Sequence, residues 1–327
     1  MISVIIPSYN SGQTLTECLD AIFSNKFENF EVIVVSDKST DHSTNIAKNY
    51  NCKIIELEKN KGPAFARNTG ANSASGDILL FLDSDCVVKN DALINIDKIF
   101  RNKEINVIQG VYSHKPNYKS ISTQYQQSFY CYFAWHENLS YTDNLISMCF
   151  AIKKNIFDEC EGFNTNIKNA TAEDDEFGYT LAENGHKILI LRELSVDHRV
   201  EYNVSKFIKR NFRMYVDIMK TFIRNKTYVN KINQKNYLNV LIRIPILGLI
   251  IFTLMTSIVF QNNMIIYIFL ALNIIFLLLH LGFINFIKKT KGSFKSYRII
   301  PICYLDAFLM ILGSIYGLIG YILGKKY

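Results

Sequence analysis

Charge and hydropathy change abruptly near residue 204, and this change constrains the fold of the chain more than any other feature. Residues 1–204 carry 19 basic and 27 acidic side chains, whereas residues 205–327 carry 17 basic and 2 acidic ones. The last third consists of long apolar runs separated by short basic loops, which is typical of membrane proteins. A single soluble domain is therefore disfavoured, and intrinsic disorder and a disulfide scaffold are excluded.

The seven cysteines form no Cys-x-x-Cys pair and show no metal-ligand spacing. We interpret them as buried thiols in a reducing compartment. The apolar run from Ile2 to Ile6 is too short for a signal peptide or an anchor, because it stops at Pro7. It also lacks the basic flank of a signal peptide. We therefore expect the first domain to stay in the cytoplasm.

Short β-branched runs alternate with segments of helical periodicity through the first half of the chain. Strands are predicted at Ser3–Pro7, Phe30–Val35, Lys53–Leu57, Ile78–Leu82, Asn106–Gly110 and Lys187–Leu191, with helical segments among them. This order predicts an α/β domain with a parallel sheet of the nucleotide-binding type over residues 1–204.

Apolar and basic residues interleave from Ser205 to Lys226 at helical spacing, which predicts a basic amphipathic helix. Such a helix suits an anionic membrane surface, and we assign residues 205–237 to an interfacial region. A soluble helix packed on the first domain is the alternative interpretation.

Three segments within residues 238–327 are long enough to cross a hydrocarbon core: Ile244–Phe260, Met264–Ile287 and Ile299–Leu323. The loop Lys288–Arg298 is rich in Lys and Arg, so the positive-inside rule places it in the cytoplasm. The last segment contains Asp306, and a re-entrant or interfacial position is its alternative. We interpret its glycines, Gly313, Gly317, Gly320 and Gly324, as sites of close helix packing.

Asp83 and Asp85 directly follow the predicted strand Ile78–Leu82, where α/β sheets place their ligands. Two carboxylates there can hold a divalent cation such as Mg²⁺ or Mn²⁺, which would neutralise the charge on a departing nucleotide. A solvated turn at the end of a strand is the alternative.

Five motifs in order resemble those of family 2 glycosyltransferases, which are inverting enzymes of the GT-A fold. They read S-V-I-I-P-S-Y-N at 3–10, V-V-S-D-K-S-T-D at 34–41, N-K-G-P-A-F-A-R-N-T-G at 60–70, G-D-I-L-L-F-L-D-S-D at 76–85 and A-E-D-D-E-F at 172–177. The likeness covers about residues 1–215. It implies a nucleotide-sugar donor, a divalent metal ion and a single displacement at the anomeric carbon, with no nucleic-acid partner.

The resemblance implies that Pro7, Tyr9 and Asp37 line the nucleoside pocket, with Asp37 accepting a hydrogen bond from the base. The family often has an acidic residue and a glycine where this chain has Ser36 and Lys38. The conserved arginine of the family falls on Arg67, which would reach a phosphate or the nucleoside. In the same loop, Gly62 permits a bend close to the ligand, and Asp83 joins the donor site. Without the resemblance, Arg67 would be an ordinary surface residue and Asp37 a turn residue.

Four carboxylates follow one another at 173–176, and their mutual repulsion is expected to raise some of their pKa values. The resemblance identifies Asp174 as the base that takes the proton from an acceptor hydroxyl. An acidic helix N-terminus is the alternative interpretation, especially for Glu173 and Asp175. Upstream, Glu161 stands where the family usually has a glycine.

His198 follows a predicted strand, and in many relatives a histidine here completes the metal site or contacts the diphosphate. Imidazole suits Mn²⁺ better than Mg²⁺, although a lone histidine is as often structural. Aromatic residues crowd the stretch Tyr125–Trp135. They could stack on an acceptor sugar, but burial in a packed helix is the preferred interpretation.

Together these features predict a multi-pass protein of the cytoplasmic membrane whose catalytic domain faces the cytoplasm. It would transfer a sugar to a glycan or lipid-linked acceptor beside membrane lipids. A polyprenyl-phosphate glycosyltransferase is the nearest alternative. A catalytically silent membrane adaptor that only binds a nucleotide sugar or a partner is the alternative from another class.

Overall fold

A computed structural model describes residues 1–113, 118–136, 140–168, 171–225, 235–292, 297–325 and 327. Side chains are described at these positions except 133, 136 and 235–244. The chain forms two compact units. The N-terminal unit comprises Met1–Pro116 and Glu137–Val200, and the helical unit comprises Asn117–His136 and Glu201–Tyr327.

One mixed sheet forms the centre of the N-terminal unit. Its strands are β1 (Ile2–Ser8), β2 (Phe30–Ser36), β3 (Lys53–Glu56), β4 (Ile78–Leu82), β5 (Cys86–Val87), β6 (Val107–Tyr112), β7 (Tyr141–Thr142), β8 (Cys149–Lys153) and β9 (Ile188–His198). The helices of this unit are α1 (Leu15–Phe23), α2 (Ser43–Ala47), α3 (Pro63–Asn72), α4 (Ala92–Phe100), α6 (Lys154–Glu159) and α7 (Glu173–Glu183). The predicted α/β domain is confirmed.

The strand order is β3-β2-β1-β4-β8-β6-β9-β5, with β7 also paired to β9. The first four strands are parallel, as predicted, but β8 lies antiparallel to β4 and to β6. The sheet predicted to be parallel is therefore a mixed one. Apolar runs reveal buried strands, whereas strand direction depends on the connections between them.

Aromatic packing below the sheet fixes the position of α7. Phe81 of β4 stacks on Phe150 of β8 with ring centroids 4.7 Å apart. Phe163 lies edge-on to Phe81, and its ring centroid is 4.6 Å from that of Phe177 in α7. Because these rings are buried, they hold the first turn of α7 in register with the carboxyl end of β4.

The helical unit contains α5 (Ile121–His136), α8 (Val204–Arg224), α9 (Lys235–Phe260), α10 (Asn263–Lys291) and α11 (Ile300–Ile322). Two of these, α10 and α11, are long and apolar enough to cross a membrane, while Pro245–Phe260 of α9 forms a shorter apolar stretch. Two of the three predicted spans therefore meet the criterion of length and composition.

The aromatic stretch of the sequence lies in α5 and packs within the helical unit. Tyr125 makes edge contacts with Phe207 of α8 and Phe283 of α10, with centroids 5.8 and 5.7 Å apart. For this residue burial was the right interpretation. The sequence analysis counted these residues with the first domain, whereas the structure groups them with the C-terminal helices. The division at 1–204, 205–237 and 238–327 otherwise stays a prediction.

Glycines at 313 and 317 allow close helix contact, as predicted. A Cβ atom on Gly313 would lie 2.7 Å from the Tyr215 Cβ atom, and one on Gly317 would lie 2.6 Å from the Val216 carbonyl oxygen. Gly320 is less crowded, and Gly324 has open space around it. All seven cysteines are free thiols, and six of them are buried.

Two positions at which the resemblance implies a glycine carry backbone strain. Lys38 and Glu161 both have a φ angle of 59°, in the left-handed region that favours glycine.

We expect Glu161→Gly to raise the free energy of unfolding by about 0.5–1 kcal/mol, because glycine removes the left-handed strain. Glu161→Ala is the control, since it deletes the side chain and keeps the strain. Chemical denaturation of the full chain in detergent measures both variants. Equal stability of the two variants would show that φ at this position costs nothing.

Candidate active site

Residues from several motifs meet at the carboxyl edge of the parallel strands. β1 pairs with both β2 and β4 in parallel register, so the three strands end side by side. Pro7 is the penultimate residue of β1, Asp37 directly follows β2, and Asp83 directly follows β4. This edge is where open α/β sheets bind ligands.

Asp37 is buried and holds the loop that leads into α3. Its Oδ1 atom accepts a hydrogen bond from the Lys61 backbone N–H at 2.7 Å, and its Oδ2 atom accepts one from the Gly62 N–H at 2.8 Å. Gly62 has a φ of 88°, and a Cβ atom there would lie 2.2 Å from the Lys168 carbonyl oxygen. The motif residues Asp37 and Gly62 thus together fix the conformation of the loop before α3. A carboxylate oxygen has two lone pairs, so Asp37 can still accept a bond from a ligand.

The two predicted residues of β1 differ in exposure. Pro7 is half-buried, and Tyr9 is 55% exposed just beyond the strand. An exposed ring beside a strand end can stack on a planar ligand. The arrangement therefore agrees with a nucleoside pocket beside Asp37.

Arg67 joins the end of β4 to the first turn of α7. The side chain is buried, and its Nη2 atom donates to Asp83 Oδ1 at 2.8 Å, while its Nη1 atom donates to Glu173 Oε1 at 2.9 Å. The resemblance implies a phosphate or a nucleoside as the partner of Arg67. In the structure these two nitrogens are directed at carboxylates instead, because Arg67 points across the sheet edge.

Sequence reasoning missed Glu173 as a partner of Arg67. The row of carboxylates at 173–176 was the available signal, but it does not say which member turns inward. Only the packing of α7 decides this, and it leaves Glu173 2% exposed.

Burial is the main cause of the pKa shifts in this cluster. It raises the pKa of Glu173 to about 7, with a further rise from the Asp174 charge and an opposing effect from Arg67. It also raises the pKa of Asp83, against the attraction of Arg67. The pKa of Asp175 is raised by burial first and by the charge of Asp174 second. Repulsion within the acidic row, the predicted cause, contributes but is secondary to burial.

Asp174 is half-buried at the start of α7 and is held by Ser147. Its Oδ2 atom accepts bonds from the Ser147 N–H at 3.1 Å and from the Ser147 hydroxyl at 3.2 Å. The neighbouring Asp175 accepts a bond from the Asn144 amide. The carboxylate of Asp174 is thus oriented while part of it stays accessible.

Asp85 and His198 are brought together by β5 and β9. These strands are antiparallel, with Cys86 directly opposite His198. The His198 Nε2 atom lies 3.3 Å from Asp85 Oδ2. Burial, the largest single effect, raises the pKa of Asp85, but the charge and hydrogen bond of His198 together with hydrogen bonds from Cys86 and the backbone lower it overall. The ligand atoms of Asp85, Cys86 and His198 all lie within 4.8 Å of one another.

Carboxylate and imidazole are suitable donors for Mn²⁺, so Asp85 and His198 fit the predicted metal. Cys86 was not predicted, and burial raises the pKa of its thiol well above the usual value. A protonated thiol is a poor ligand for this ion. Asp83, predicted as a metal ligand, lies outside this cluster, and its Oδ1 atom accepts a hydrogen bond from Arg67.

Comparison with known families identifies the type of domain that carries this edge of the sheet. Residues 3–161, just under half of the chain, match the family described as Glycosyl transferase family 2. The chain carries a family 2 glycosyltransferase domain. The match contains Pro7, Tyr9, Asp37, Gly62, Arg67, Asp83 and Asp85 and ends before Asp174 and His198.

Curated relatives of this glycosyltransferase domain come from bacteria. The glycosyltransferase GlyG of Streptococcus pneumoniae is 32% identical over 117 residues, which cover 34% of this chain and 39% of the relative. The poly(ribitol-phosphate) beta-N-acetylglucosaminyltransferase TarS of Staphylococcus aureus is 40% identical over 98 residues, or 28% of this chain and 17% of the relative. The chain therefore spans about two fifths or less of the length of these relatives.

The mannosyltransferase PcManGT from Pyrobaculum calidifontis, solved with GDP-Man and Mn²⁺, has a similar structure. It superposes with a TM-score of 0.61 and 17% identity, covering 99% of this chain and 87% of that one. The GT-A fold expected from the resemblance is confirmed, and it is followed by C-terminal helices.

Removing the charge of Arg67 should destabilise the domain strongly. We expect Arg67→Met to lower the free energy of unfolding by about 3–5 kcal/mol, because Glu173 and Asp83 would lose the cation between them. Arg101→Met is the matched control. Arg101 is 79% exposed and pairs with Asp97, so its loss should cost less than about 1 kcal/mol. A similar loss in both variants, measured by denaturation, would contradict this role of Arg67.

The raised pKa of Glu173 predicts a pH dependence of stability. The folded state binds this proton up to about pH 7, whereas the usual value is 4.5. Stability contributed by the protonated form is therefore present below pH 4.5 and is lost as the pH rises to 7, by roughly 3 kcal/mol at most. Glu173→Gln should show a flatter profile of unfolding free energy between pH 4.5 and 7. Identical slopes in the two proteins would refute the prediction.

Proposed function

We propose that this protein is a membrane-anchored, metal-dependent, inverting glycosyltransferase. It transfers a sugar from a nucleoside-diphosphate-sugar to a glycan or lipid-linked acceptor in the assembly of a cell-surface polysaccharide or glycolipid. One observation carries the proposal: Arg67 ties the end of β4, with Asp83 and Asp85, to the turn of α7 that presents Asp174. A donor site and a base therefore face the same edge of one sheet.

The donor end of the site has a nucleoside pocket and a cation site. Pro7, Tyr9 and Asp37 would line the pocket, and Gly62 lets the loop approach it. Asp85 and His198 would hold Mn²⁺ or Mg²⁺, and Asp83 would contact the donor beside them. A divalent cation, when bound there, neutralises negative charge on the departing diphosphate.

Asp174 would act as the general base. It accepts the proton of the acceptor hydroxyl while the acceptor oxygen attacks the anomeric carbon from the face opposite the nucleotide. The new glycosidic bond forms as the bond to the diphosphate breaks, and its electron pair leaves with the diphosphate. Ser147 binds the Oδ2 atom of Asp174 by two hydrogen bonds, and the Asp175 N–H donates to its Oδ1 atom at 3.0 Å. The carboxylate is thus oriented, and a lone pair left on the half-buried group can accept the acceptor's proton.

Two observations support the proposed acceptor class. The relative TarS is a transferase that acts on the polymer poly(ribitol-phosphate). The helical unit adds two helices with the length and composition of membrane spans. An enzyme anchored in this way at the inner face of the cytoplasmic membrane meets a lipid-linked acceptor in two dimensions.

A donor screen tests the proposal. Detergent-solubilised protein is incubated with Mn²⁺, a membrane lipid extract and UDP-, GDP- or dTDP-sugars, and release of the nucleoside diphosphate is measured. We expect one donor to be consumed. Asp174→Asn should reduce kcat by about 10²–10⁴-fold, because the proton acceptor is lost. Glu183→Gln at the other end of α7 is the control.

Three outcomes would change the proposal. A product with an acid-labile sugar phosphodiester would identify a polyprenyl-phosphate glycosyltransferase. If Asp174→Ala left glycan assembly in cells intact while deletion of the gene abolished it, the protein would be a silent adaptor. Activity that persists in Asp85→Ala without added cation would refute the metal site.

A further inference from the structure

We propose that α11 lies on the membrane surface together with α8, as one amphipathic pair that binds anionic lipid headgroups, although α11 is long enough to cross the bilayer. The proposal rests on the membrane anchoring stated above. It concerns helices of the helical unit and adds a lipid surface that the transferase reaction does not require.

The two helices run side by side in the same direction. Asn211 of α8 donates to Asp306 of α11, and further along Gly317 lies against Val216 and Met219. Beyond the end of α11, Arg224 stacks on the ring of Tyr327 with 4.5 Å to the centroid. From Asn211 to Arg224 the contact extends for about 20 Å of helix. Both helices therefore have the same orientation to a bilayer.

Charges along α8 exclude it from the hydrocarbon core. Six basic residues are spread over its length: Lys206, Lys209, Arg210, Arg213, Lys220 and Arg224. Lys206, Lys209 and Arg213 are exposed and follow one another at i, i+3 and i+7, so they form one stripe. Lys and Arg inside a bilayer are costly, but near its surface they are attracted by anionic headgroups. Because α8 stays at the surface, α11 beside it does too.

Asp306 strengthens the pairing. It is buried in α11 and accepts hydrogen bonds from Tyr125 Oη at 2.7 Å, Asn211 Nδ2 at 2.7 Å and Tyr215 Oη at 2.9 Å. These donors belong to α5 and α8, so the acidic group locks α11 to the helices around it. In the sequence, Asp306 is the reason for considering a re-entrant or interfacial position of the last segment. In the structure, its carboxylate connects α11 to α5 and α8 by hydrogen bonds.

The outer face of α11 supplies the apolar half of the pair. Phe308, Ile315 and Ile322 are 42%, 51% and 72% exposed and recur every seven residues on one face. An apolar face beside a basic stripe matches the boundary between acyl chains and anionic headgroups. Exposed apolar side chains also line the first half of α10, where Met264 and Tyr267 are at least 70% exposed.

The proposed position of α11 also determines on which side of the membrane Lys325 lies. If α9 and α10 cross as a hairpin and α11 does not cross, Lys325 lies on the same side as Lys288 and Lys289. The positive-inside rule then places all of these basic residues in the cytoplasm.

Depth measurements at three positions of α11 test the inference. In a Cys52→Ser background, Phe308→Cys, Ile315→Cys and Ile322→Cys are labelled with a nitrobenzoxadiazole dye in the full chain, reconstituted in phosphatidylglycerol vesicles. Quenching by lipids with a doxyl group at carbon 5 or carbon 12 reports the depth of each dye. We expect the same shallow depth at all three. A crossing helix would shift the depth by about 10 Å from one label to the next and would overturn the proposal.

Sidedness and lipid charge supply the controls. A membrane-impermeant maleimide should label Lys325→Cys from the same side as Lys59→Cys, and Met264→Cys from the opposite side. Labelling of Lys325→Cys together with Met264→Cys would refute the inference alone, whereas extraction of the whole chain by carbonate would refute membrane anchoring itself. Dye emission at Ile315→Cys should be higher in phosphatidylglycerol than in phosphatidylcholine. Lys206→Gln/Lys209→Gln/Arg213→Gln should abolish this difference, and an unchanged difference would show that these basic residues do not bind the headgroups.

Discussion

The arrangement of the site depends on the ion pairs that Arg67 makes with Asp83 and Glu173. The two carboxylates come from residues 90 positions apart in the sequence, and both are drawn towards one buried guanidinium. A buried cation without these partners would be costly, and so would either carboxylate without the cation. The planar fork of arginine serves two acceptors at once, which the single ammonium of lysine could not do with the same geometry. Arg67 therefore fixes the distance between the donor edge and the turn that carries Asp174.

Aromatic packing and strand pairing support this interaction from either side. Phe81, Phe163 and Phe177 hold β4 against α7, and the short pairing of β5 with β9 places His198 beside Asp85. Neither device contacts a ligand in the proposed reaction. Both set the position of side chains that would, and a shift of about 1 Å at such positions is enough to reduce catalysis strongly.

In the helical unit the organising group is again a buried carboxylate. Asp306 gathers Tyr125, Asn211 and Tyr215 around α11, and the glycines of α11 allow α8 to approach its backbone. A charged group inside an apolar helix is tolerated because three donors satisfy it. By length and hydropathy, α10 and α11 are both suited to cross a membrane. Their surroundings differ, because 11% of the most apolar stretch of α10 is buried in the protein, against 39% of that of α11.

The sequence by itself determined the α/β alternation, the family motifs and the apolar helices, because each depends on residues that are near one another in the chain. It also pointed to one metal site of Asp83, Asp85 and His198, the two aspartates through their position after a strand and the histidine through the resemblance. In the structure Asp85 and His198 lie together, whereas Asp83 is outside that cluster. Tertiary structure alone decided that β8 runs antiparallel, that Cys86 lies opposite His198, that Glu173 turns inward to Arg67, and that residues 117–136 join the C-terminal helices. The physical reason is that strand direction, the inward face of a helix turn and the partner of a buried charge are set by packing between distant segments, which local periodicity does not record.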